Sequence, residues 1–216
     1  MTIWTDTMDN TLYTPFGPIL MKGVMSDELH TALLKKSEDS RNPDNDFRHH
    51  LAGNLTEEYR LNFSNEEKES VYAELLDLAQ TYMLEAKKEK RIKKFGRPKI
   101  KDLTIVEPIW VNYMKAGEWN PSHFHAGLIS CVAYLSVPEE IEIENVEAEH
   151  SKQSNIPSAG RIQWTYGESI QFSETYFTQI PKAKDIWFFP AELKHYVYPF
   201  KSDVERVSIS LSLKHI

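Results

Sequence analysis

The sequence predicts a mainly β protein, a β-sandwich or jelly-roll core carrying helices on its N-terminal side. Three observations carry that expectation. From about residue 103 the chain offers five segments rich in β-branched and aromatic residues. No helix-periodic stretch separates them, which argues against a parallel α/β sheet. Clear helical periodicity is confined to the part before residue 89. At 216 residues, with 41% hydrophobic content, the chain suits one well-buried domain. We read residues 1–102 as a helical and loop support and 103–216 as the β core.

In chain order, "MSDELHTALLKK" reads as a short helix capped by Ser26, with Leu29, Ala32 and Leu33 on one face. "SNEEKESVYAELLDLAQTYMLEAKK" reads as a longer one. There Ser64 and Glu67 form a capping-box pair, and Val71, Leu75, Leu78 and Tyr82 recur at helical spacing. Between them, "SEDSRNPDNDFRHHLAGNLTEEYRLNF" is polar and turn-rich and is expected to be loop with at most short structure. The strand segments are "TIVEPIWVNYM", "ISCVAYLSV", "GRIQWTY", "AKDIWFFP" and "RVSISLSLKH". In the last, Val207, Ile209, Leu211 and Leu213 alternate with Ser208, Ser210 and Ser212, so Arg206 falls on the serine side. The acidic stretch 138–160 is expected to be a long exposed loop.

Composition excludes some functions. A net charge of −7 argues against a general nucleic-acid binder. The basic run at 87–101 is the exception, either a solvated helix end and linker or a docking patch for an acidic partner or nucleic acid. With Cys131 as the one cysteine, no internal disulfide is possible. No signal peptide or membrane-length apolar run is seen, so a cytoplasmic protein is expected.

The chemistry concentrates in "NPSHFHAGLIS". His123 and His125 are two apart, so in extended backbone both project to one face. His195, in "FFPAELKHYVYPF", is a candidate third imidazole for a metal such as Fe, Zn, Ni or Cu. Read in order, "YMKAGEWNPSHFH", "AYLSVP", "GRIQW", "DIWFFPAELKHYVYPF" and "RVSIS" resemble the Fe(II)- and 2-oxoglutarate-dependent oxygenases. The likeness is to their prolyl-hydroxylase-like branch and its short bacteriophage and bacterial members, and covers roughly residues 105 to 213.

That resemblance implies a double-stranded β-helix fold and a dioxygenase that hydroxylates an unidentified substrate, releasing succinate and CO2. It implies Fe(II) as metal, 2-oxoglutarate as cosubstrate, and dioxygen and a protein side chain or small molecule as further partners. His123 and His195 match the family's two histidine ligands. Arg206 matches the arginine that pairs with the far carboxylate of 2-oxoglutarate, with Ser208 beside it. Tyr113 and Tyr134 match tyrosines that contact the cosubstrate. The substrate is expected over the face of the 138–160 loop and Trp119. One departure stands out, since His125 occupies the position of the family's carboxylate ligand. Three outcomes are open: His125 ligates, it stands beside the metal with water completing the site, or the site takes another metal or none. The two-residue spacing favours ligation.

A cupin is the rival reading. Gly117, His123 and His125 fit a G-x5-H-x-H pattern, but Ile129 and Ser130 stand where a cupin glutamate is expected. A three-histidine cupin dioxygenase or a metal-binding cupin would have no standing need for Arg206. A non-enzymatic barrel would leave "DIWFFP" as plain core, its expected fate under any reading.

Overall fold

A computed structural model describes residues 10–13, 17–50, 53–88, 102–171 and 174–216. Two antiparallel sheets face each other, and helices cover the outer face of the larger one. The strands are β1 (Thr11–Tyr13), β2 (Leu20–Val24), β3 (Glu57–Leu61), β4 (Leu103–Met114), β5 (Asn120–His123) and β6 (Ile129–Ser136). They continue with β7 (Ile162–Thr165), β8 (Tyr176–Gln179), β9 (Asp185–Pro190), β10 (Lys194–Val197) and β11 (Arg206–His215). The larger sheet runs β1-β2-β9-β6-β11-β4-β3 and the smaller β5-β10-β7-β8. Each of the five expected strand segments forms a strand.

Helix α1 (Asp27–Ser40) starts where expected, because the Ser26 side chain accepts from Leu29 N–H. Its buried stripe is Leu29, Leu33, Ser37 and Ser40; Ala32 points to solvent. Helix α2 (Asn65–Lys88) is closed at its start by the reciprocal Ser64–Glu67 bonds, at 2.7 and 3.2 Å. Beyond Lys88, the basic run lies outside the described residues. No helix among the described residues is long and apolar enough to cross a membrane.

Strand alternation divides the core in two. Val207, Ile209, Leu211 and Leu213 of β11 pack with Leu33, Leu75 and Leu78 of the helices. Tyr134, Trp187 and Phe189 face the smaller sheet and meet Trp164, Ile162 and Val197. Each large side chain buried this way contributes about 1.5–3 kcal/mol. Cys131 lies on the helix side, buried as a small apolar residue.

One expectation needs correction. The segment 138–160 is not a simple exposed loop: it forms α3 (Glu139–Glu147) and α4 (Glu149–Lys152). Helix α3 buries Ile141, Glu144 and Asn145, and the Glu144 carboxylate accepts from the N–H groups of Lys201 and Ser202. An acidic side chain was buried there because it ties down a neighbouring turn. The stretch before α2 holds short structure within its loop, chiefly β3, paired to β4 from Glu57↔Tyr113 to Leu61↔Ile109.

Candidate active site

His123 closes β5 and lies directly opposite His195 of β10 in the antiparallel register. His125 follows two residues on, where its backbone N–H donates to the Ala191 carbonyl at 2.9 Å. The three rings meet, with centroids 4.3 Å apart for His123–His195, 5.0 Å for His123–His125 and 5.1 Å for His125–His195. One ring nitrogen from each lies within 4.8 Å of the others.

Local hydrogen bonds set the chemistry of these nitrogens. The Nδ1 of His123 is 2.7 Å from the Pro121 carbonyl, and that of His195 is 2.9 Å from the Leu193 carbonyl. A carbonyl only accepts, so each Nδ1 carries the proton and each Nε2 keeps its lone pair. Burial lowers the pKa of all three histidines. For His125 burial and the neighbouring His123 bring it down to about 4; for His195 burial and then His123 hold it well below the ordinary imidazole value. Three neutral imidazoles with ring nitrogens this close offer donor atoms suited to a metal ion.

The histidines form one wall of a cavity of about 460 Å³, whose floor is the inner face of the larger sheet. Cross-strand register lays a polar row along that floor: Glu58 of β3 opposite Asn112 of β4, Asn112 opposite Ser208 of β11, and Ser208 opposite Tyr134 of β6. Arg206 lies one step along β11 and is 2% exposed. Its Nη1 donates to the Gly160 carbonyl at 2.9 Å and its Nη2 lies 2.9 Å from the Met114 sulfur, while its Nε has no partner. Gly160 has φ +64, and a Cβ there would meet Ile141 at 2.6 Å, so the bend presenting this carbonyl requires glycine. No carboxylate pairs with Arg206 among the described residues. Its Cζ sits 5.4 Å from the Tyr134 ring, and the Tyr134 hydroxyl, pushed up to about 12 by burial, is also unpartnered. Phe189 and Trp110 wall the histidines, at 4.8 Å from His195 and 5.5 Å from His125.

Six of the seven expected site residues thus share one cavity: His123, His125, His195, Tyr134, Arg206 and Ser208. Tyr113 does not join them. It pairs with Val207 on the helix side, where its ring lies 4.0 Å from the Arg41 guanidinium carbon. Register gives the reason, because Arg206 and Ser208 pair with Met114 and Asn112, leaving Tyr113 on the opposite face. Neither Trp119 nor any residue from 138 to 160 is among the described lining residues. Sequence reasoning missed Glu58, Asn112, Asn120 and His50, all of which line the cavity. An asparagine inside the apolar run "WVNYM" was the available signal.

Residues 108–212 match the sequence model of the family described as "Putative 2OG-Fe(II) oxygenase". The chain carries a 2OG-Fe(II) oxygenase domain. It is an enzyme's domain, and its cofactors are Fe(II) and 2-oxoglutarate. No curated protein sequence matches the chain. Among solved structures, the oxygenase is similar to a prolyl-4-hydroxylase from Pseudomonas putida, at 12% identity and TM-score 0.52, over 97% of this chain and 94% of that one. It is also similar to a non-haem α-ketoglutarate-dependent epimerase of nogalamycin biosynthesis, at 14% identity and TM-score 0.56, over 94% of this chain and 80% of that one. These likenesses show the double-stranded β-helix fold. The residues fit the family's cofactors: imidazole is a suitable ligand for iron, and a buried guanidinium lacking an anion fits a dicarboxylate.

Proposed function

We propose that this oxygenase is a hydroxylase in which His123, His125 and His195 hold Fe(II), and Arg206, Ser208 and Tyr134 hold 2-oxoglutarate. The observation that carries the proposal is Arg206, a buried cation without a carboxylate partner among the described residues, which shares one cavity with three neighbouring imidazoles. When bound, the iron and the keto acid couple reduction of dioxygen to decarboxylation, giving succinate, CO2 and a hydroxylated C–H bond of the substrate.

The chain's own residues bind, orient and exclude water. Arg206 offers a planar, permanently charged fork to the far carboxylate, at the depth where the dielectric is lowest. The Ser208 hydroxyl stands on the same strand face and Tyr134 adds a second buried donor, so the keto acid has a single seated orientation. The backbone carbonyls behind His123 and His195 fix both rings before any metal arrives. Phe189 and Trp110 keep solvent off the imidazoles. With His125 in place of a carboxylate, the metal site carries one more unit of positive charge, which favours an anionic cosubstrate. Arg206 also supports an oxygenase over a cupin, which would have no use for it.

The test is anaerobic titration of the protein with Fe(II) and 2-oxoglutarate, followed by the visible charge-transfer band of an iron-chelated keto acid. The expected result is a band that requires both components and weakens in Arg206→Ala. Iron binding without a band would overturn the keto-acid site.

A further inference from the structure

The end of the cavity away from Arg206 has the opposite polarity. Glu58 is 1% exposed and its Oε2 has no hydrogen-bond partner. Its cross-strand neighbour Asn112 is 5% exposed with Oδ1 unpartnered, and Asn120 Oδ1 is likewise unpartnered. All three residues line the same cavity as the histidines. No cationic side chain pairs with Glu58 among the described residues. Leaving buried acceptors unpaired costs about 1–3 kcal/mol each, so a structure that keeps three together has a use for them.

The walls at this end are aromatic. Phe47 is tied to Glu58 by its backbone N–H donating to the Glu58 carbonyl at 2.9 Å. Its ring lies 6.0 Å from Trp110 and 4.5 Å from His50, both of which line the cavity. Aromatic faces attract cations, and a primary ammonium is the side-chain-sized group with three N–H donors and no acceptor. An amide or a hydroxyl would bring fewer donors and no charge.

Building on the hydroxylase reading of this cavity, we infer that the substrate carries a primary ammonium group, held by Glu58 and Asn112 against the Phe47–Trp110 wall. Burial, with a smaller contribution from Asp46, pushes the Glu58 carboxyl up to about 8. An arriving cation supplies the partner that lets it ionise. The cavity is then bipolar, seating a dicarboxylate at Arg206 and an amine at Glu58, with the histidines alongside.

The test uses the anaerobic complex with Fe(II) and 2-oxoglutarate, so that no turnover is needed. Binding of n-butylammonium is compared with that of n-butanol by ligand-observed NMR, in wild type and in Glu58→Gln. The expected result is a preference for the amine of about tenfold or more in wild type, lost in Glu58→Gln. Equal affinities in wild type overturn the inference without any variant, and a preference that survives in Glu58→Gln overturns the role of Glu58. A parallel titration with N-acetyl-lysine-N-methylamide separates the two sources of an ammonium. Tighter binding than n-butylammonium points to a lysyl side chain, and weaker binding to a small free amine. The charge-transfer band is read on the same samples. A band without amine preference overturns this inference alone, whereas the absence of a band overturns the hydroxylase reading beneath it.

Discussion

An arginine that is 2% exposed and faces no carboxylate among the described residues holds electrostatic free energy that an anionic ligand can release. Replacing it separates binding from folding. In Arg206→Gln, the Kd for 2-oxoglutarate should rise roughly 30- to 1,000-fold, from the loss of about 2–4 kcal/mol of charge-assisted bonding. Thermal stability without ligands should hold or improve, because an uncompensated buried charge is gone. A titration beside a melting curve checks both. The second residue-level prediction concerns His125. His125→Ala should weaken Fe(II) binding by at least about tenfold, while His125→Asp, which restores a carboxylate at the same place, should retain it. Competition with a coloured chelator reads this directly, and equal binding in wild type and His125→Ala would remove His125 from the ligand set. The histidines were legible because two-residue spacing in extended backbone has one geometric outcome. Tyr113 was not, because one residue of register decides its face and register is a tertiary property.

Among the elements, the helices were the most legible, since caps are written locally. Ser64 and Glu67 satisfy each other's backbone N–H groups at the start of α2. Ser64→Ala should therefore cost about 1 kcal/mol and lower the urea midpoint with unchanged slope. The effect should leave 2-oxoglutarate affinity intact, because α2 packs on the face of the larger sheet that points away from the cavity. The short strands were harder. β3 reads "EEYRL", and nothing local distinguishes Glu57, which faces outward to Arg41, from Glu58, which is buried beside the site. β5 and β10 are four residues each and mostly polar, so their pairing rests on the larger sheet opposite them.

At the scale of the whole molecule, Arg41 joins parts distant in sequence. Its guanidinium bonds Glu57 at 2.6 and 2.9 Å and Glu205 at 2.8 and 3.0 Å, linking the end of α1 to β3 and to the approach to β11. Arg41, with Lys115, brings the Glu57 carboxyl down from 4.5 to about 2. A depressed carboxylate contributes stability above its unfolded value and loses it as pH falls toward its folded one. The clamp should be complete above about pH 4.5 and weaken progressively toward pH 2. Glu57→Gln should be less stable at pH 7 and show a shallower loss across that window, as measured by unfolding midpoints at stepped pH. None of this network was legible beforehand, because its four charges, Arg41, Glu57, Lys115 and Glu205, come from four separate stretches of chain.

The place of β11 in the larger sheet has a consequence for synthesis. It follows every other described strand along the chain, yet it lies between β6 and β4 and carries Arg206 and Ser208. A chain emerging from the ribosome therefore offers two open strand edges with a gap between them, and open edges of this kind recruit other chains. The proposed keto-acid seat and the closure of the sheet arrive together, with the same ten residues, so on that reading a nascent chain that can still misassemble has no site with which to consume its cosubstrate.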